Sequence, residues 1–231
     1  MLPCGSHRLG PVSDRWATFD CYGTLVDWMS GIRAAFAQLW PDADAEALLT
    51  LYHQLEPAVQ AGRGIPYREV MAETLALLAS TARLELPLGG EATLGSSLPS
   101  WPVFPEVPGS LSELRRRGWR LAILSNTDAD LLDASLRAIG VPIDLRVVAS
   151  EIGSYKPAFR HWESFFAQTG ADRRRHVHVA ASLFHDIEPG ARMGLRCVWI
   201  NRLVELSPLS RAAELADLSF LPDTVEALVP A

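Results

Sequence analysis

A doubly wound parallel α/β sheet, interrupted after its first strand by a helical insertion, is the fold class that the sequence predicts. Two features of the chain carry the prediction. From residue 119 onward, short apolar runs alternate with amphipathic stretches, and that alternation builds a parallel sheet covered on both faces. Before residue 99, one apolar run precedes three helical stretches with no strand between them. A chain of 231 residues with 48% hydrophobic content is long enough to bury a core and a smaller second unit.

Residues 1–14 lack the apolar segment of a signal peptide and are expected to form a loose tail. "RWATF" (15–19) predicts a short buried strand. "GIRAAFAQLW", "AEALLTLYHQLEPAVQ" and "YREVMAETLALLASTARL" space their apolar residues by three and four, as amphipathic helices do. In "PSWPVFPEVPGS", Pro102, Pro105 and Pro108 oppose regular helix and predict a stiff hinge. Ser110 and Glu113 read as a capping box for a helix through Arg117, stopped by Gly118. "WRLAILS", "LRVVAS", "HVHVAAS" and "RCVWI" predict strands, with "ADLLDASLRAIG", "AFRHWESFFAQTG" and "IEPGARMGL" as the helices between them. A last short strand is expected near "LSF" (218–220). The α/β core then comprises 15–28 and 106–231, with a helical cap and hinge over 29–105.

Composition restricts the partners. The formal charge of −6 is spread along the chain, which gives no electrostatic reason to expect nucleic acid or an anionic membrane. The runs at Arg115–Arg117 and Arg173–Arg175 read as decoration of helix ends or turns. No apolar stretch reaches the length of a membrane span. Cys4, Cys21 and Cys197 are odd in number and lack metal-ligand spacing, so neither a disulfide framework nor a zinc site is expected, and a reducing cytoplasm fits best.

In an open parallel sheet, ligands bind beyond the carboxyl ends of the strands. Four such ends carry polar groups: Asp20 with Thr24, Ser125 with Asn126, Lys156 in "SYKP", and Ser182 with His185 and Asp186. A carboxylate able to attack, donors and an ammonium able to stabilise moving charge, and a second carboxylate form a coherent catalytic set.

These residues resemble the haloacid dehalogenase superfamily of hydrolases, from about residue 15 to the C-terminus. "FDCYGTLVD" is similar to its first motif, "LSN" to its second, "SYKP" to its third and "SLFHD" to its fourth, in order and at strand ends. The resemblance implies a Rossmann-like core with a cap inserted after the first motif, and Asp20 as nucleophile. Phosphatases of the superfamily carry a second aspartate two positions after the nucleophile, to protonate the leaving alcohol. Tyr22 stands there in this chain, and a phenol with a pKa near about 10 is a poor acid at neutral pH. Halide leaves without a proton, so the stretch is most similar to the L-2-haloacid dehalogenase branch, where a tyrosine occupies the place.

That branch implies a small (S)-2-haloacid as substrate and two steps. Asp20 forms an aspartyl ester, and water near Asp186 and Lys156 hydrolyses it; Ser125 and Asn126 hold the substrate carboxylate. No cofactor is implied. The alternative within the superfamily is a phosphate monoester phosphatase, with Mg2+ held by Asp20, the Tyr22 backbone and Asp186, or a hydrolase of a strained or activated small carboxylic acid. A homodimer is common in similar proteins.

The chain also departs from the branch. Its fourth motif has Ala181 and Leu183 where a serine and an asparagine are usual, and His185 stands as an added base or donor. The cap arginine that receives halide is absent; His53 falls about there, with Arg63 and Arg68 as further candidates. His176 and His178 share one face of a strand without a third ligand and read as structural. Trp28, Trp40, Tyr52 and Trp101 are candidates for an apolar pocket wall.

Overall fold

The computed structural model describes residues 14–231; Cys4 and the expected tail, apart from Asp14, lie outside the described residues. The first strand, β1 (Trp16–Phe19), is followed by the helices α1 (Trp28–Leu39), α2 (Ala45–Gln60), α3 (Tyr67–Ala82) and the short α4 (Thr93–Ser97). Alternation then begins with α5 (Val107–Arg116), β2 (Arg120–Ser125), α6 (Ala129–Ile139), β3 (Leu145–Val148), α7 (Ala149–Ile152) and α8 (Arg160–Thr169). It continues through β4 (His176–Ala180), α9 (Glu188–Arg192), β5 (Cys197–Ile200), β6 (Ala213–Leu215) and α10 (Leu221–Leu228).

The strands form one sheet in the order β3-β2-β1-β4-β5-β6, with every pair parallel. Alternate side chains of each strand enter different cores. Ala17 and Phe19 join one cluster with Leu121, Ile123, Val177 and Val179. Trp16 joins the other with Ala122, Leu124, Trp162 and Trp199. Burial on both faces is what a doubly wound sheet demands of its strands. Because the chain runs outward from β1 to β2 and β3, then returns to β4 on the other side, the crevice beyond β1 is the topological switch point.

Three local expectations are corrected. The final strand is Ala213–Leu215 rather than residues near 218–220; Leu218 is buried instead, and its carbonyl accepts a 2.7 Å hydrogen bond from Ser110 Oγ. Ser110 is therefore not an N-cap. Its helix starts a turn earlier at Val107, because Pro108 sits in the first turn, where an N–H has no intrahelical partner to lose. The strand over "LRVVAS" ends at Val148, and Ala149–Ile152 turn into a short helix closed by Gly153 with φ 61°.

The hinge stretch lies beside the chain leaving β1. Asp27 N donates to Pro102 O at 2.8 Å and Phe104 N to Leu25 O at 3.0 Å, so both crossings into the helical insertion run together. A second tie joins insertion and sheet layers. Pro66 offers α3 no side-chain cap, and Asp128 supplies one from the far side, accepting from Tyr67 N at 2.8 Å and Arg68 N at 3.1 Å.

Candidate active site

Asp20 follows β1 directly, with its N–H donating to Val179 O at 3.0 Å, so β4 fixes the backbone from which the carboxylate projects. The turn that follows needs Gly23. Its φ of 89° lies in the left-handed region, and a Cβ there would stand 2.9 Å from Trp28 Nε1. The turn brings Thr24 back: its hydroxyl donates to Asp20 Oδ2 at 2.9 Å and accepts from Ala181 N at the same distance.

Lys156 completes the centre. Its Nζ donates to Asp20 Oδ1 and to Asp186 Oδ1, each at 2.7 Å, and to Leu124 O at 2.9 Å. All three ammonium protons thus have acceptors, in a residue only 1% exposed. Asn126 holds the lysine's loop, donating to Lys156 O at 3.0 Å and accepting from Lys156 N at 2.7 Å. Ser125 Oγ is buried without a partner among the described residues, while its carbonyl meets His161 Nε2 at 3.1 Å. Burial pushes the His161 ring down to about 3, which leaves it neutral and its N–H the donor.

The charges are set by burial against pairing. Burial opposes the Lys156 charge, yet Asp186 and Asp20 outweigh it and raise its pKa. Burial also pushes Asp20 up, with the Asp186 charge adding to it and Lys156 opposing. For Asp186 the balance reverses: against its burial, the Lys156 charge and a His178 hydrogen bond hold its carboxyl well below the usual range. The Tyr22 phenol is pushed far up by burial and meets Ser135 Oγ at 3.1 Å, which makes it a weaker acid than a free phenol.

A cavity of about 370 Å³ opens over these groups. Asp20, Tyr22, Ser125, Asn126, Lys156, Ser182, His185 and Asp186 all line it from the sheet side, and His53 from α2. Thr24 lies behind the wall, reaching Asp20. Arg63 and Arg68 do not line it: Arg63 pairs with Glu73 and Arg68 with Asp128 and Asp130. Of the aromatic candidates only Trp28 lines it. Trp40 Nε1 donates to Glu85 O at 2.7 Å, Tyr52 is fully buried, and Trp101 packs edge-on against Tyr22. His53 stacks on Trp28 with centroids 4.6 Å apart, and burial lowers its pKa, as it does for His185. Both rings are thereby favoured as neutral.

Among the described residues, no group of three or more His, Cys, Asp and Glu is arranged to hold a metal ion. Of the donors named for Mg2+, Asp20 and Asp186 are instead bridged by the Lys156 ammonium, which stands between Asp20 Oδ1 and Asp186 Oδ1.

The family model of the haloacid dehalogenase-like hydrolases matches residues 15–194. The chain belongs to that family. Haloacetate dehalogenase H-2 of Moraxella sp. (strain B) is 30% identical over 189 residues, covering 80% of this chain and 84% of its own. The (S)-2-haloacid dehalogenase of Pseudomonas sp. (strain YL) is 30% identical over 191 residues, covering 80% and 81%. The crystal structure of the L-2-haloacid dehalogenase RSc1362 superposes with a TM-score of 0.83 at 26% identity, over 92% of this chain and 98% of that one.

Within this family's frame, the structure ties to the site a histidine that the sequence reading took as structural, and adds groups that it did not single out. His178, opposite Thr18 across the β1–β4 register, puts Nε2 3.0 Å from Asp186 Oδ1 and Nδ1 2.8 Å from Thr18 Oγ1. Thr18 Oγ1 also meets His176 Nε2 at 2.8 Å. A carboxylate only accepts, so His178 Nε2 donates to Asp186, Thr18 donates to His178, and His176 donates to Thr18. Arg202, beyond β5, and Glu56 and Gln60, on α2, also line the cavity. Arg202 stood at a strand's carboxyl end, where the switch-point rule would have found it.

Proposed function

We propose that this hydrolase cleaves the carbon–halogen bond of small (S)-2-haloacids through a covalent ester on Asp20. One observation carries the proposal: a desolvated carboxylate held by Lys156 and Thr24, beside a Tyr22 that supplies no proton to a leaving group. Halide is the leaving group that needs none. The names of the haloacetate and (S)-2-haloacid dehalogenases among its relatives support the same chemistry.

Asp20 attacks the carbon alpha to the substrate carboxylate, opposite the halogen, and the bonding pair leaves with the halide. Ser125 donates its free hydroxyl to the substrate carboxylate, with the backbone of Asn126 beside it at the approach to the N-terminus of α6. Water then attacks the ester carbonyl carbon of Asp20 from the side of Asp186, whose Oδ2 is buried and without a partner among the described residues. Lys156 and Thr24 stabilise the negative charge that develops on the Asp20 oxygens. The 2-hydroxy acid departs with inverted configuration and Asp20 is restored. The helices over 29–105 act as the cap that excludes bulk water. Free, buried Cys21 and Cys197 support a reducing, cytoplasmic setting, and among the described residues no helix is long and apolar enough to cross a membrane. A small molecule is the partner, and a homodimer is the proposed assembly.

Halide release from L-2-chloropropionate tests the proposal, with the unaltered protein and Asp20→Asn, in EDTA and then in magnesium. The expected result is release that EDTA leaves unchanged and that falls by about a thousandfold or more in Asp20→Asn. Absence of halide under every condition would remove the dehalogenase assignment.

A further inference from the structure

The cavity wall supplied by α2 is polar and carries no cation. His53, Glu56 and Gln60 all line the cavity, at the three- and four-residue spacing that puts side chains on one helix face. Glu56 Oε1 accepts from Tyr67 Oη at 2.8 Å, with Tyr52 Oη at 3.5 Å from the same oxygen. Two phenols thus orient the carboxylate on a single oxygen, and Oε2 accepts no hydrogen bond among the described residues. Glu56 also has no ion-pair partner among them, although burial pushes its carboxyl up.

The cations of the cavity are already matched, and Glu205, an acid that also lines it without an ion-pair partner among the described residues, is exposed to solvent, unlike Glu56. The lining cations are Lys156 and Arg202. Lys156 lies between Asp20 and Asp186. Arg202 donates to Glu106 at 2.5 Å and to Thr24 O at 2.8 Å, with its guanidinium 3.5 Å over the Phe104 ring. An oriented carboxylate facing a cavity without a counter-charge is completed by a ligand that brings one.

We propose that Glu56, oriented by Tyr67 and Tyr52, is a subsite for a protonated amine of the substrate. The preferred substrate class is then a zwitterionic 2-halo acid, whose carboxylate lies at Ser125 and whose ammonium lies against α2. This deepens the dehalogenase proposal and rests on it for the position of the carboxylate.

Two measurements test it separately from that proposal. The first compares kcat/KM for 4-amino-2-chlorobutyrate and 2-chlorobutyrate, in the unaltered protein and in Glu56→Gln. The expected preference for the amino compound is about tenfold or more, falling to near one in Glu56→Gln. Equal kcat/KM for the two acids in the unaltered protein, or an unchanged preference in Glu56→Gln, would overturn the subsite while leaving dehalogenation standing. The second needs neither turnover nor a folded variant: calorimetric titration of the unaltered protein with 4-aminobutyrate and with butyrate. At least tenfold tighter binding of 4-aminobutyrate supports the subsite, even if neither chloro acid releases halide and the dehalogenase proposal falls. Equal affinity, or no binding of either, overturns it.

Discussion

Asp186 is where the hydrogen bonds of the site converge. One of its oxygens takes both Lys156 and His178, and this sharing lets a fully buried carboxylate stay ionised. Replacing His178 by Phe removes a donor to a charged acceptor, a bond of about 1.5–3 kcal/mol. The expected consequence is a fall in kcat of roughly tenfold or more, with the aspartyl ester accumulating in mass spectra, because water attack slows more than ester formation. His178→Gln, whose amide can still donate, recovers part of the rate; equal kcat in all three proteins would show that His178 does not position Asp186. Asp20 has a separate signature. Burial raises its pKa, so the carboxylate proposed to attack is lost as pH falls through a value above the ordinary aspartate figure of about 3.9. The acid limb of kcat/KM is expected above that figure, and a limb at or below it would contradict the balance of burial and pairing described for Asp20.

The helical insertion meets the sheet layers through Asp128, which caps α3 from another part of the chain. Asp128→Ala leaves those amides without their acceptor, and loss of such a cap costs about 1–2 kcal/mol. A fall in Tm of about 3–6 °C is expected for a chain of this size. Asp128→Asn, which retains an accepting oxygen, should recover most of it; an unchanged Tm in Asp128→Ala would contradict the cap. This tie also marks what was legible in the sequence. Asp20, Thr24, Ser125, Lys156 and Asp186 could be found because each stands near the end of an apolar run, and strand ends are local features. Periodicity likewise located α2 at its observed bounds, Ala45–Gln60. Asp128 capping α3, His178 meeting Asp186 and Glu56 facing the cavity depend on which elements become neighbours, and neither spacing nor propensity encodes that. The capping box at Ser110 misled for a related reason: its hydroxyl is bonded to Leu218 O, a partner 108 residues away.

At the scale of the molecule, the sheet order places β1 between β2 and β4, so residues from distant parts of the chain meet over one crevice while the helical insertion supplies its opposite wall. The sheet side brings the groups assigned to attack and hydrolysis, and α2 brings the groups assigned to substrate choice. Such a division lets substrate preference change without disturbing the reacting groups. The central claim is that Asp20 itself becomes the ester. A single turnover of L-2-chloropropionate in H2¹⁸O, with protein in excess and the Asp20 peptide and product both weighed, tests it most directly. The label is expected in the Asp20 carboxylate, with an unlabelled hydroxyl on the lactate. Label in the lactate hydroxyl, with none in the peptide, would mean that water attacks the substrate directly and that Asp20 is not the nucleophile.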